Sequence, residues 1–121
     1  MWKFVLIFIL NEPSLFAGKI YAILCRNYKN TVKGRDYYDF LFYIKNRIKP
    51  NMNYLKNKLA ESGKIKEDID FNIDVLKAML KQRFESTDFE QVKKNAMRFA
   101  FKNEDLSYYC KELFMQMVDK L

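Results

Sequence analysis

Along most of the chain hydrophobic residues recur at three- and four-residue spacing, the period of a helix that buries one face. The start breaks that rule. Phe4-Val5-Leu6-Ile7-Phe8-Ile9 is an unbroken run of mostly β-branched and aromatic residues ended by Asn11 and Pro13, the pattern of a buried strand. A lone strand leaves its backbone donors and acceptors without partners, and no later segment reads as a second strand. Residues 1–10 are therefore expected to pair with another copy of the chain, to continue a sheet that precedes them, or to pack into the core as a hydrophobic arm.

Pro13 suits a first helical turn with Asn11 as its cap, which predicts a helix to about Tyr28. At 100° per residue, Leu15, Phe16, Ile20, Ile23 and Leu24 share one broad face, and Lys19 falls within it. A lysine there either snorkels outward along its stem or turns its ammonium toward an anion in a cleft. Ala17 and Gly18 are small and leave room beside it.

A polar, basic connection from Asn27 to Gly34 leads to a helix opening at Arg35 or Asp36 and closing near Arg47, before Lys49-Pro50. Tyr37, Tyr38, Phe40, Leu41, Phe42, Tyr43 and Ile44 make it apolar nearly all round, so it is the expected central helix. Asp36 and Asp39, with Tyr43 one turn on, form its polar edge, and Asp36 also stands where a helix takes an N-terminal acceptor.

Ordinary amphipathic helices follow. One spans Asn51 to Ser62 and stops at Gly63; another is capped by Asp70 and runs to about Glu85 with Ile73, Leu76, Met79, Leu80 and Phe84 on one face. Asp88 opens a helix from Phe89 to about Phe101, and Asn103 caps the last, where Leu106, Tyr109, Cys110, Leu113, Phe114, Met117 and Val118 recur. These Met and Phe stripes read as core, and the chain shows no internal repeat.

Composition agrees with one helical domain across residues 1–121: three Gly and two Pro are too few for a loop-rich or all-β fold. The 22 Lys and Arg against 15 Asp and Glu give a net charge of +7, which favours an anionic partner through long-range attraction. The cations are spread along the chain without an arginine cluster, so simple solubilising charge explains them equally well. With no histidine the usual general base is missing, and Cys25 and Cys110 lack zinc-site spacing. Both cysteines are expected as buried free thiols. Met1 to Leu10 mimics a secretory signal, but it is too short to cross a membrane, and Leu15 stands where a small residue should precede cleavage after Ala17. A cytoplasmic, non-membrane protein is expected.

Lys19 on one helix and Arg35-Asp36 on the next form a recognisable pair. Leu15-Phe16-Ala17-Gly18-Lys19-Ile20-Tyr21-Ala22-Ile23-Leu24, a basic loop, then Lys33-Gly34-Arg35-Asp36-Tyr37-Tyr38-Asp39-Phe40 resembles the nucleotidyltransferase toxins of the AbiEii/AbiGii family over residues 4–45. The resemblance implies a nucleotide site in which Asp36 is the catalytic carboxylate. Lys19, Lys33 and Arg35 would contact the nucleotide, with Asp39 and Tyr43 in support. For the family it further implies magnesium and a nucleoside triphosphate, an RNA or nucleotide substrate, and a cognate antitoxin.

The sequence departs from that pattern in one respect. Such enzymes hold magnesium with a Gly-Ser turn and an Asp-x-Asp pair on strands. Here there is no Gly-Ser step, and the one Asp-x-Asp, Asp68-Ile69-Asp70, lies in a lysine-rich stretch read as a helix-capping region. The expectation is thus a mainly α bundle of five or six helices with one N-terminal β-strand left from a nucleotidyltransferase-like sheet. It would be a truncated or partial enzyme, inactive alone, with no metal ligands of its own. A missing N-terminal half would supply the rest. The alternative is a non-enzymatic basic helical module that binds RNA or a protein, or that forms a homodimer through its first strand.

Overall fold

The computed structural model describes residues 11–25, 34–97 and 109–121. Among them are six helices and no strand: α1 (Glu12–Cys25), α2 (Gly34–Lys45), α3 (Met52–Glu61), α4 (Ile73–Glu85), α5 (Phe89–Ala96) and α6 (Lys111–Val118). The expected strand of residues 1–10, the loop carrying Lys33, and the Asn103 cap with Leu106 lie outside the described residues.

Two helices share the centre, where the sequence suggested one. α1 packs on α2, α3 and α4, while α2 packs on α1, α5 and α6; α4 and α6 close the far side. The reason lies in the width of the apolar faces. Phe16, Ala17, Ile20 and Ile23 on α1 and Tyr37, Phe40, Leu41 and Ile44 on α2 are all buried, too broad a stripe for a single neighbour. Leu15, expected on the buried face, is instead 37% exposed.

Aromatic rings fill the space between α2, α4, α5 and α6. Phe114 stacks on Phe89 at 4.9 Å between centroids and meets Phe84 and Tyr37 edge-on at 5.5 Å and 5.6 Å. Offset and edge-to-face contacts at these distances let the ring edges meet the electron-rich faces. The expected core stripe of α4 is buried at Leu76, Leu80 and Phe84 and half-buried at Ile73 and Met79.

Local chemistry fixes most helix ends. Asn51 accepts from the Tyr54 N–H and caps α3; its own side-chain amide reaches Ser14 Oγ at 3.0 Å and its backbone N–H donates to Pro13 O, so the start of α3 is pinned to the start of α1. Gly63, at φ 80°, follows the Ser62 C-cap. Asp88 caps α5 as expected, through the Glu90 and Gln91 N–H groups. α4 is capped not by Asp70 but by Asn72, whose side chain accepts from Val75 N–H. The buried Phe71 explains the shift: it draws the chain inward and leaves Asn72, not Asp70, in extended backbone at the helix entry.

Cys25 and Cys110 are free thiols and half-buried, not fully buried. Among the described residues no helix is long and apolar enough to cross a membrane.

Candidate functional site

The facing surfaces of α1 and α2 are apolar except at one place, where they bring Lys19, Asp36 and Asp39 together. Lys19 Nζ lies 3.0 Å from Asp39 Oδ2 and donates to Asp36 Oδ1 at 3.4 Å. Arg35 Nε approaches the same Asp39 oxygen at 3.6 Å, the i,i+4 geometry of neighbours on a helix face. The periodicity that set Lys19 within an apolar face thus aims it at the polar edge of the next helix.

Exposure grades these groups. The Asp36 side chain is 5% exposed, Asp39 20%, Lys19 32% and Arg35 62%. Asp36 is the one buried charged residue among those described. An ionised carboxylate at that depth needs a cation and donors, and Lys19 supplies both. The helix begins at Gly34, so Asp36 lies within the first turn and is not the N-cap. There it still faces the positive end of the helix dipole.

The N-terminus of α2 is held from outside. Gly34 N–H donates to Asn95 Oδ1 of α5 at 3.0 Å. A side chain at position 34 has no room: a Cβ would stand 2.5 Å from Ala96 N and 2.7 Å from Val92 O. The glycine of the Lys-Gly-Arg-Asp run is therefore needed for the close approach of α5, and Asn95 sets where α2 starts and so where Asp36 points. Nothing local in the sequence marks Asn95, because the contact joins positions 61 residues apart.

Tyr43 stacks on Phe16 at 5.1 Å, beside the ion cluster. Burial, and then the nearby Asp39 charge, raise its pKa above the ordinary phenol value, while Lys19 opposes them. Its hydroxyl is thus a neutral group at physiological pH and not a base. Tyr37, one position after Asp36, lies in the core with its hydroxyl 3.3 Å from Thr87 Oγ1, and burial is the main cause of its raised pKa.

An ammonium has three donors. Two of those of Lys19 face carboxylates, which leaves one for a further acceptor, and a third of its side chain reaches solvent. Gly18 leaves open space beside it, whereas Ala17, expected to do the same, is fully buried in the core. Asp36 Oδ1 and Asp39 Oδ2 already face the Lys19 ammonium, and Arg35 approaches the latter, so this pair does not offer a magnesium ion two free carboxylates. Among the described residues no three His, Cys, Asp or Glu side chains gather as metal ligands, and Asp68 and Asp70 are exposed in the connection before α4.

A family model described as nucleotidyl transferase AbiEii toxin, type IV TA system, matches residues 4–118. No curated protein and no solved structure matches the chain.

Proposed function

The chain belongs to the nucleotidyl transferase AbiEii toxin family of type IV toxin–antitoxin systems, and on that basis we propose that its α1–α2 face is the nucleotide-holding side of a nucleotidyltransferase toxin site. One observation carries the reading. Lys19, set in an apolar interface, is braced by Asp36 and Asp39 with one donor left over and a path to solvent.

Such an ammonium can take one phosphate oxygen of a triphosphate without moving, because its direction is already fixed. Asp36 and Asp39 would act on the nucleotide through Lys19, as positioning groups. Arg35, the most exposed of the four, would reach the phosphate tail, and Tyr43 would wall the site with its ring. Lys33, which precedes Gly34 in the sequence, would add charge. Magnesium does not fit the carboxylates of this face, so the metal-binding acids of a full transferase site would come from outside these residues. The chain by itself would hold a nucleotide and transfer nothing.

Binding of a fluorescent nucleoside triphosphate tests this. The wild-type chain should bind it, and Lys19→Ala should weaken binding about tenfold or more, the loss of one charge-assisted contact. Equal binding by the two proteins, with the variant shown to be folded by circular dichroism, would remove Lys19 from any nucleotide role.

A further inference from the structure

Away from that face, the end of α2 and the last turns of α6 enclose a cavity of about 550 Å³. Its floor is apolar: Ile44, Leu113 and Met117. Its rim is cationic: Lys45, Arg47, Lys49 and Lys120, all exposed, with no acid among the lining residues. On the α2 side the sequence is one-signed, since no acid occurs between Asp39 and Glu61 while Lys45, Arg47, Lys49, Lys56 and Lys58 do; on the α6 side Asp119, next to Lys120, is paired with Lys81.

The backbone at the rim is unusual. α2 ends with Arg47 N–H donating to Ile44 O and Ile48 N–H to Tyr43 O, a Schellman closure whose left-handed position glycine normally fills. Here Arg47 fills it, at φ 59°, which costs about 1 kcal/mol relative to glycine. The conformation presents a guanidinium at the cavity edge.

A matching surface lies on the same chain. Glu67, Asp68, Asp70 and Asp74 are all exposed and make no ion pair among the described residues, and Ile69 stands among them 36% exposed. Four acids thus surround a partly exposed isoleucine, the complement of an apolar floor with a basic rim. Both surfaces border one end of the molecule: Lys49 donates to Lys120 O, and Lys77, on the helix that the acidic segment opens, donates to Asp119 O.

We infer that the cavity is a docking site for a second copy of the chain, which inserts its Glu67–Asp74 segment with Ile69 toward the floor. Because both surfaces lie at one end, a two-fold axis can seat each segment in the other's cavity, which closes the assembly as a dimer. Opposed charge fixes the register, and burial of Ile69 against Ile44, Leu113 and Met117 adds apolar contact. A phosphate chain would use the rim but not this floor, which carries no aromatic ring for a base to stack on.

Sedimentation equilibrium on the intact chain tests the inference. Wild type should self-associate to a dimer. Arg47→Glu with Lys49→Glu, and separately Asp68→Lys with Asp70→Lys, should each weaken association at least about tenfold, since each sets like charges against each other. Mixing the two variants should restore it, because both contacts then join opposite charges. Arg47→Gly is the control for folding: it should raise thermal stability and still weaken the dimer. A wild-type chain that stays monomeric at several hundred micromolar would overturn the proposal. So would two reversed variants that do not pair on mixing. A cavity that binds an unrelated acidic amphipathic peptide while the chain remains monomeric would assign it to a foreign partner instead.

Discussion

At the scale of single residues, Asp36 and Lys19 depend on each other unequally. Asp36 is nearly sealed from water, whereas a third of Lys19 is exposed. Replacing Lys19 by Met keeps the stem but takes the ammonium away from a buried carboxylate, and should destabilise the fold by about 2 kcal/mol; adding Asp36→Asn should recover part of that loss. Urea unfolding of the two single variants and the double variant gives the coupling. If Lys19→Met costs nothing, the pair is a surface ion pair of little weight. Tyr37 gives a pH signature. Burial raises its pKa above the ordinary 10.0, so the native state holds the proton more tightly than the unfolded chain does. That contribution is complete below pH 10 and is lost as pH rises through the higher native value. Wild type should therefore lose stability above pH 10 more steeply than Tyr37→Phe, measured as unfolding free energy against pH. Parallel curves would mean the phenol is not protected.

At the scale of elements, the joint between α2 and α5 is the least forgiving. Gly34→Ala drives a Cβ into backbone atoms, which cannot rotate away as a side chain end could. It should cost about 3 kcal/mol, at the upper end of overpacking penalties, whereas Asn95→Ala, which removes only the acceptor for Gly34 N–H, should cost about 1 kcal/mol. Thermal unfolding of the two variants checks the order, and a mild Gly34→Ala would mean that α5 shifts outward to make room. This joint also marks the boundary of what the sequence discloses. The spans of the helices at α2, α3 and α4, the cap at Asp88 and the stop at Gly63 follow from neighbours within a turn, and the sequence shows them; Tyr109 and Cys110, expected inside the last helix, stand before α6, which begins at Lys111. Lys19 and Asp36 could be paired because each interrupts an apolar face and such faces pack on one another. The choice of Asn72 over Asp70 depended on Phe71 being buried, and the Asn95 contact joins distant helices; both are set by packing and leave no local pattern. Arg47 was hidden for the opposite reason, since its backbone breaks the preference for glycine that would have predicted it.

At the scale of the whole molecule, the placement of acids decides what chemistry the chain can carry alone. Nucleotidyl transfer from a nucleoside triphosphate, with pyrophosphate leaving, needs carboxylates free to hold magnesium on the phosphates. Among the described residues the acids of the α1–α2 face, Asp36 and Asp39, are engaged with Lys19 and Arg35. Asp68 and Asp70 stand exposed in the connection between α3 and α4, on the acidic segment rather than at the α1–α2 face. Incubating the purified chain with magnesium, labelled nucleoside triphosphates and tRNA should therefore give no incorporation above a no-protein control. Incorporation that Asp36→Ala abolishes would show that this carboxylate leaves Lys19 to act directly in transfer. Incorporation lost instead on Asp68→Ala would move the catalytic centre to the α3–α4 connection. The first result would mean that magnesium draws Asp36 and Asp39 away from the cations they face here, the second that it gathers on the exposed Asp68 and Asp70.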